Sequence, residues 1–141
     1  IKLSCIVSTF NLIKLLTVEN QKNDKIFELI SIFFEILTKE NWLTSYIFWE
    51  LDLYKSLGYE LNFSNYTKKI KFNGTHKYLS LSDEKKVPNF LVENSIENIS
   101  KEDLIAGIEI IGHFLEKSIL NQNNLSVPET RISFVNLVRK L

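Results

Sequence analysis

The sequence predicts a mostly α fold: a helical bundle of about five helices with a small β-hairpin insertion at about residues 68–82. Three observations predict it. Apolar residues recur at helical spacing over most of the chain, that period is lost only between Tyr59 and Glu97, and inside that gap two short alternating runs flank Asn73-Gly74. With 141 residues, 45% of them apolar and 24% charged, the chain has the composition of an ordinary globule that can bury a real core. Disordered tails and fibrous repeats are excluded. One helical domain over 1–141, carrying an insertion at 59–97, is the expected organisation.

The first helix is expected from about Lys2 to Thr17, where Leu3, Ile6, Val7, Phe10, Ile13 and Leu16 repeat every three or four residues. A polar stretch, Glu19 to Asn23, ends it. Asp24 can cap a second helix whose Ile26, Phe27, Leu29, Ile30, Ile32, Phe33, Phe34, Ile36 and Leu37 cover nearly every side, which places it at the centre of the bundle. Asn41 can cap the third, Trp42 through Leu57, and Gly58 stands where a left-handed C-terminal residue is favoured.

Lys69-Ile70-Lys71-Phe72 and Lys77-Tyr78-Leu79-Ser80-Leu81 read as strands of the hairpin, and Phe90-Leu91 as a short helical turn after Pro88. Ser100-Lys101-Glu102-Asp103 is a capping box opening a helix to about Leu120, and Ser126-Val127-Pro128-Glu129 is a second one opening a helix to the C-terminus. In the fourth helix Leu104, Ile108, Ile111, Leu115 and Ile119 form the inward stripe, flanked by Gly107 and Gly112. Two interior glycines cost about 1 kcal/mol each relative to alanine, which implies a close approach by another helix backbone.

Two charges fall on apolar faces. Glu50 lies inside the arc formed by Trp42, Tyr46, Trp49, Leu53 and Leu57, with Leu43, Ile47 and Tyr54 beside it; Arg131 lies amid Val127, Phe134, Val135 and Val138. A buried carboxylate without a partner costs several kcal/mol, and the planar guanidinium can satisfy both its oxygens. Glu50 and Arg131 are therefore expected to form a buried structural ion pair that ties the third helix to the last. The alternative is a catalytic or ligand-binding carboxylate in an open cleft.

Seventeen basic and seventeen acidic side chains cancel, which excludes a polybasic mode of nucleic-acid binding for the chain as a whole. The balance is not local. Residues 66 to 86 hold Lys68, Lys69, Lys71, Lys77, Lys85 and Lys86 against Asp83 and Glu84, with Tyr66, Phe72 and Tyr78 interleaved. That mixture can contact phosphates and stack on unpaired bases; its bland counterpart is a lysine-protected sheet edge.

No phosphate loop, nucleophile elbow or His-Glu-x-x-His is present. His113 with Glu109 and Glu116 has the spacing to meet on one exposed helix face, but no second histidine or cysteine cluster completes a metal shell, and His76 sits beside the hairpin turn. No metal, no cofactor and no catalytic residue are expected. The one cysteine, Cys5, points to a reducing, cytoplasmic setting, and no apolar run approaches the roughly 20 residues that cross a bilayer. The absence of methionine and a start within an apolar-periodic run suggest a piece of a longer protein.

The run Phe48-Trp49-Glu50-Leu51-Asp52-Leu53-Tyr54-Lys55-Ser56-Leu57-Gly58-Tyr59-Glu60-Leu61-Asn62-Phe63-Ser64 resembles the helix ending in Leu-Gly-Tyr-x-Leu-x-x-Ser of the bacterial RecO recombination mediators. Tyr78-Leu79-Ser80-Leu81, Val87-Pro88-Asn89-Phe90-Leu91, the helix with Gly112-His113-Phe114-Leu115-Glu116, and Val127-Pro128 with Arg131 follow in the family's order. The resemblance implies the C-terminal helical region of a non-enzymatic DNA repair protein, with the family's N-terminal OB-fold outside this chain. It also implies binding of single- and double-stranded DNA, annealing of complementary strands, and RecA loading with RecR and single-stranded-DNA-binding protein. An apolar groove for a partner's acidic, aromatic-ended tail is part of that expectation, with no residues assigned to it. One departure matters: many members carry a four-cysteine zinc module beginning near Tyr66, and here Cys5 is the only cysteine, so zinc is not expected. The runner-up reading is a generic helical ligand-binding or dimerisation domain of a regulatory protein.

Overall fold

The computed structural model describes residues 1–17 and 24–141, so the polar stretch Glu19 to Asn23 lies outside the described residues. It is mostly α, with one small antiparallel sheet. Five longer helices, α1 (Lys2–Leu16), α2 (Asp24–Ile36), α3 (Trp42–Ser56), α6 (Lys101–Phe114) and α7 (Glu129–Arg139), make the bundle. Between α3 and α6 come α4 (Phe63–Tyr66), β1 (Thr67–Phe72), β2 (Thr75–Ser80), β3 (Lys86–Val87) and α5 (Asn89–Glu93). The fourth helix of the sequence reading is α6 continued by a π turn at Leu115–Leu120 and a 3-10 turn at Asn121–Asn123.

The centre is α3, which buries Leu43, Tyr46, Ile47, Trp49, Glu50, Leu53 and Tyr54. Its end follows from Gly58, whose φ of +95° lets the Tyr59 N–H reach the Tyr54 carbonyl and the Gly58 N–H reach that of Lys55, so two terminal carbonyls are satisfied. At its other end Asn41 occupies the cap position without a side-chain hydrogen bond, against expectation.

The second helix is not the centre. It buries Ile26, Leu29, Phe33 and Ile36 against α3 and leaves Phe27 74% exposed and Phe34 about half exposed. Asp24 is its first residue rather than its cap. Trp49 Nε1 donates to the Leu29 carbonyl at 2.7 Å, and Phe33 packs on Tyr46 and Trp49 with ring centroids 6.0 and 5.0 Å away. One face of α2 is held, and one face suffices.

The first helix turns in Cys5, Ser8, Thr9, Leu12 and Ile13 while Leu3 is 73% exposed and Val7 and Phe10 also reach solvent. That inward face mixes small residues with Leu12 and Ile13, and α1 also packs on α7, where Asn11 Nδ2 donates to Thr130 Oγ1 at 2.9 Å.

Ser100 Oγ accepts from the Asp103 N–H at 3.1 Å and opens α6 as its capping box implies. Ser126 plays no such part in α7, where Pro128, with ψ of 144°, holds the cap position and its ring fixes the entry without a side-chain bond. Gly107 does admit a close neighbour, but a ring rather than a backbone: a Cβ there would lie 2.8 Å from Phe90 Cζ of α5. The hairpin closes through Asn73 and Gly74, both at positive φ (51° and 78°), the turn that matches strand twist. Beside it, β3 pairs with β2 through Tyr78↔Val87 and Leu79↔Lys86, a strand too short for any periodicity to announce.

Candidate functional site

Glu50 and Arg131 meet in the middle of the bundle. Arg131 Nη1 donates to Glu50 Oε2 at 2.7 Å, and the two residues are 0% and 1% exposed. Tyr54, one turn after Glu50, donates its hydroxyl to Oε1, and Tyr46, one turn before, accepts from Arg131 Nη1 at 3.3 Å and from Thr9 Oγ1 at 3.2 Å. A polar chain thus runs from α1 through α3 to α7. The helical wheels do not single out Tyr46, Tyr54 or Thr9 as its members, although the i−4 and i+4 placement of the two tyrosines puts both on the Glu50 face of α3.

Burial, and then the Glu50 charge, push both tyrosine hydroxyls well above their ordinary range. Burial works most strongly against the charge on Arg131, but Glu50, Tyr46 and Tyr54 acting together outweigh it, so the guanidinium is held above its usual value. Glu50 is fully buried and so does not stand in the open cleft that the catalytic alternative requires.

The hairpin is the other charged feature. Strand alternation divides its lysines: Lys69 and Lys71 stand opposite Tyr78 and His76 on one face, whereas Lys68, Lys77 and Lys86 share the other with Ile70, Phe72 and Leu79. The Tyr78 face is the inner one at its base, because Val87 there is buried and Tyr78 packs on the core. Lys85 lies in the turn before β3.

Several lysines already have neighbours. Lys68 pairs with Glu84 at 2.8 Å, Lys86 lies 3.8 Å from Asp103 at the start of α6, and Lys77 Nζ sits 4.8 Å over the exposed Phe72 ring. The Lys68 hydrogen bond and charge hold Glu84 below its ordinary value; the backbone N–H of Lys85 does the same for Asp83. Lys69, Lys71 and Lys85 have no carboxylate within 4 Å among the described residues. Tyr66, in α4, is exposed beside the base of β1.

His113, Glu109 and Glu116 line a groove between α6 and α7, and Glu109 is engaged by Arg139 at 2.6 Å. No group of three or more metal-ligating side chains occurs among the described residues, and no helix there is long and apolar enough to cross a membrane.

The family described as "Recombination protein O C terminal" matches residues 1–81. The DNA repair protein RecO of Rhodospirillum centenum (strain ATCC 51521 / SW) is 25% identical over 156 aligned positions, covering 99% of this chain. The chain spans 62% of that relative's length. No solved structure matches.

Proposed function

The chain belongs to the RecO family of recombination proteins, and from that premise we propose that it is the helical part of a DNA repair and recombination mediator. It acts by holding DNA, not by making or breaking bonds. The observation that carries this reading is the hairpin's local excess of four positive charges in a chain whose total charge is zero.

The lysines supply the sequence-independent part of binding, each neutralised phosphate releasing counterions from the strand. Lys69, Lys71 and Lys85 are free to do so at once, whereas Lys68 and Lys86 must first leave Glu84 and Asp103. Phe72, exposed at the tip with Lys77 over its ring, offers a face on which an unpaired base can stack. A ribbon with cations on both faces suits annealing, since neutralising two strands at once lowers their mutual repulsion. Binding extends to double-stranded DNA through the same phosphate contacts. The bundle clamped by Glu50 and Arg131 is the rigid base from which the ribbon projects.

As in the family, the partners proposed are RecR, for loading RecA, and single-stranded-DNA-binding protein, in a cytoplasmic, nucleoid-associated setting. No cofactor takes part. The test is the fluorescence anisotropy of a labelled single strand at a series of salt concentrations. Replacing Lys69, Lys71 and Lys85 together by alanine is expected to reduce the salt slope by about 2, from roughly 0.7 per phosphate contact. An affinity and slope equal to those of the parent protein would remove the hairpin from the interface.

A further inference from the structure

The tip of the hairpin carries a side chain that can change covalently without an enzyme. Asn73 is the one asparagine in the sequence followed by glycine; Asn94, before Ser95, has the next smallest follower. An asparagine side-chain carbonyl is open to attack by the backbone nitrogen of the next residue when that nitrogen is unshielded, and glycine, lacking Cβ, shields it least. Phe72, Asn73, Gly74, Thr75 and His76 are all exposed, and even a Cβ at Gly74 would meet nothing within 4 Å.

Both reacting groups are uncommitted. Neither the Gly74 N–H nor the Asn73 carboxamide has a hydrogen-bond partner among the described residues; the side-chain bond at the tip runs instead from Thr75 Oγ1 to the Phe72 carbonyl, at 2.8 Å. Asn94 supplies a contrast within the same chain. It too is exposed and left-handed, with φ of 57° against 51° for Asn73, but the Ser95 N–H donates to the Phe90 carbonyl at 3.3 Å. The two sites therefore differ in the freedom of the nucleophile, not in exposure or backbone region.

We propose that Asn73 is a site of spontaneous deamidation that turns the hairpin tip from neutral to anionic and so loosens its hold on phosphate. The Gly74 nitrogen, its proton lost to base, attacks Asn73 Cγ; the N–Cγ bond forms, the Cγ–Nδ2 bond breaks, and ammonia leaves. Water then opens the five-membered imide at either carbonyl and gives aspartate or isoaspartate. In sum water enters and ammonia departs, with no oxidant, reductant or cofactor. Aspartate keeps the hairpin, since Asp-Gly suits this turn as Asn-Gly does. Isoaspartate adds one methylene to the main chain between the paired Phe72 and Thr75 and slackens the tip. Either product sets a carboxylate next in the chain to Phe72, over whose ring the Lys77 ammonium lies at 4.8 Å, and two residues from Lys71. The local excess of positive charge falls by one. The chemistry stands alone; its effect on phosphate contacts rests on the proposed DNA role.

The experiment holds the folded protein at pH 8 for days and follows its peptides by mass, with separate detection of isoaspartate. The peptide containing Asn73 is expected to gain one mass unit about tenfold faster than the peptide containing Asn94, whose nucleophile must first leave its hydrogen bond, and to yield both aspartate and isoaspartate. The deamidation is overturned if Asn73 is unchanged or converts no faster than Asn94, or if aspartate forms without isoaspartate, which would make water the nucleophile. The charge effect is read with Asn73→Asp, which carries the carboxylate from the start and is expected to bind a labelled single strand at low salt about threefold more weakly than the parent. Equal affinity overturns the loosening. The variant with Lys69, Lys71 and Lys85 replaced by alanine separates that result from a failure of the DNA reading: if it binds more weakly while Asn73→Asp does not, the reading stands and the loosening falls, and if neither differs from the parent, both fall.

Discussion

Replacing Arg131 by methionine strips Glu50 of its 2.7 Å partner and leaves a fully buried carboxylate with Tyr54 as its one donor among the described residues. Breaking a buried pair from one side costs about 3–5 kcal/mol, because the surviving charge stays out of water. The reverse change, Glu50→Met, leaves a buried guanidinium whose Nε and Nη2 already lack partners among the described residues, and is expected to cost a similar amount. Against a total stability of roughly 5–15 kcal/mol, either loss moves the thermal midpoint down by about 10 °C or more. Changing both residues to methionine removes the stranded charge and costs less than either single change. The cost does not vanish, since Tyr46 and Tyr54 then lose a donor and an acceptor respectively. Urea unfolding followed by tryptophan fluorescence reads this directly, because Trp49 packs on Tyr46 one turn from Glu50. A double variant destabilised by the sum of the two single effects would show that the charges do not interact, and the clamp would have to be abandoned.

Cys5, whose thiol is pushed from 9.0 to about 12 by burial, is expected to stay silent to a thiol reagent at pH 8 until the protein is unfolded. Together with Tyr46 and Tyr54, also raised, it keeps its proton in the fold but loses it in the unfolded chain; stability is therefore full below about pH 9 and declines as pH rises beyond, by up to ~1.4 kcal/mol per unit per group, measurable as a falling urea midpoint. Gly107→Ala and Gly112→Ala should diverge in the same unfolding assay. Both gain helix propensity of about 1 kcal/mol, but the first also drives a methyl to 2.8 Å from Phe90, so it is expected to destabilise by 1–3 kcal/mol overall while the second stabilises. Trp49→Phe deprives the Leu29 carbonyl of its 2.7 Å donor and is expected to cost about 1–2 kcal/mol by calorimetry.

Much of this was legible wherever one residue type answers one local demand. Gly58 and the Asn73-Gly74 pair announce positive φ, and Glu50 and Arg131 stand out because each charge interrupts an apolar arc. Hydropathy misleads where close packing outweighs it. The inward face of α1 includes Cys5, Ser8 and Thr9 beside Leu12 and Ile13, with Thr9 donating to Tyr46, while the apolar Leu3 and Val7 face out. In α2 apolar residues on every side suggest a central position, yet contact with α3 requires only the Ile26, Leu29, Phe33 and Ile36 face. The division of the hairpin lysines could have been read from strand parity, since Lys68 and Lys69 necessarily point to opposite faces. Their carboxylate partners could not: Glu84 reaches Lys68 through a turn at positive φ, and Asp103 approaches Lys86 from another element.

The most direct test of the account is to map backbone amide shifts in the labelled protein as a short single-stranded oligonucleotide is added at low salt. The largest changes are expected along Thr67–Phe72, Thr75–Ser80 and Lys85–Lys86, fading as salt is raised, with α3 and α7 around Glu50 and Arg131 unmoved. Changes confined to the helices, or none on the hairpin while the strand is bound, would contradict it.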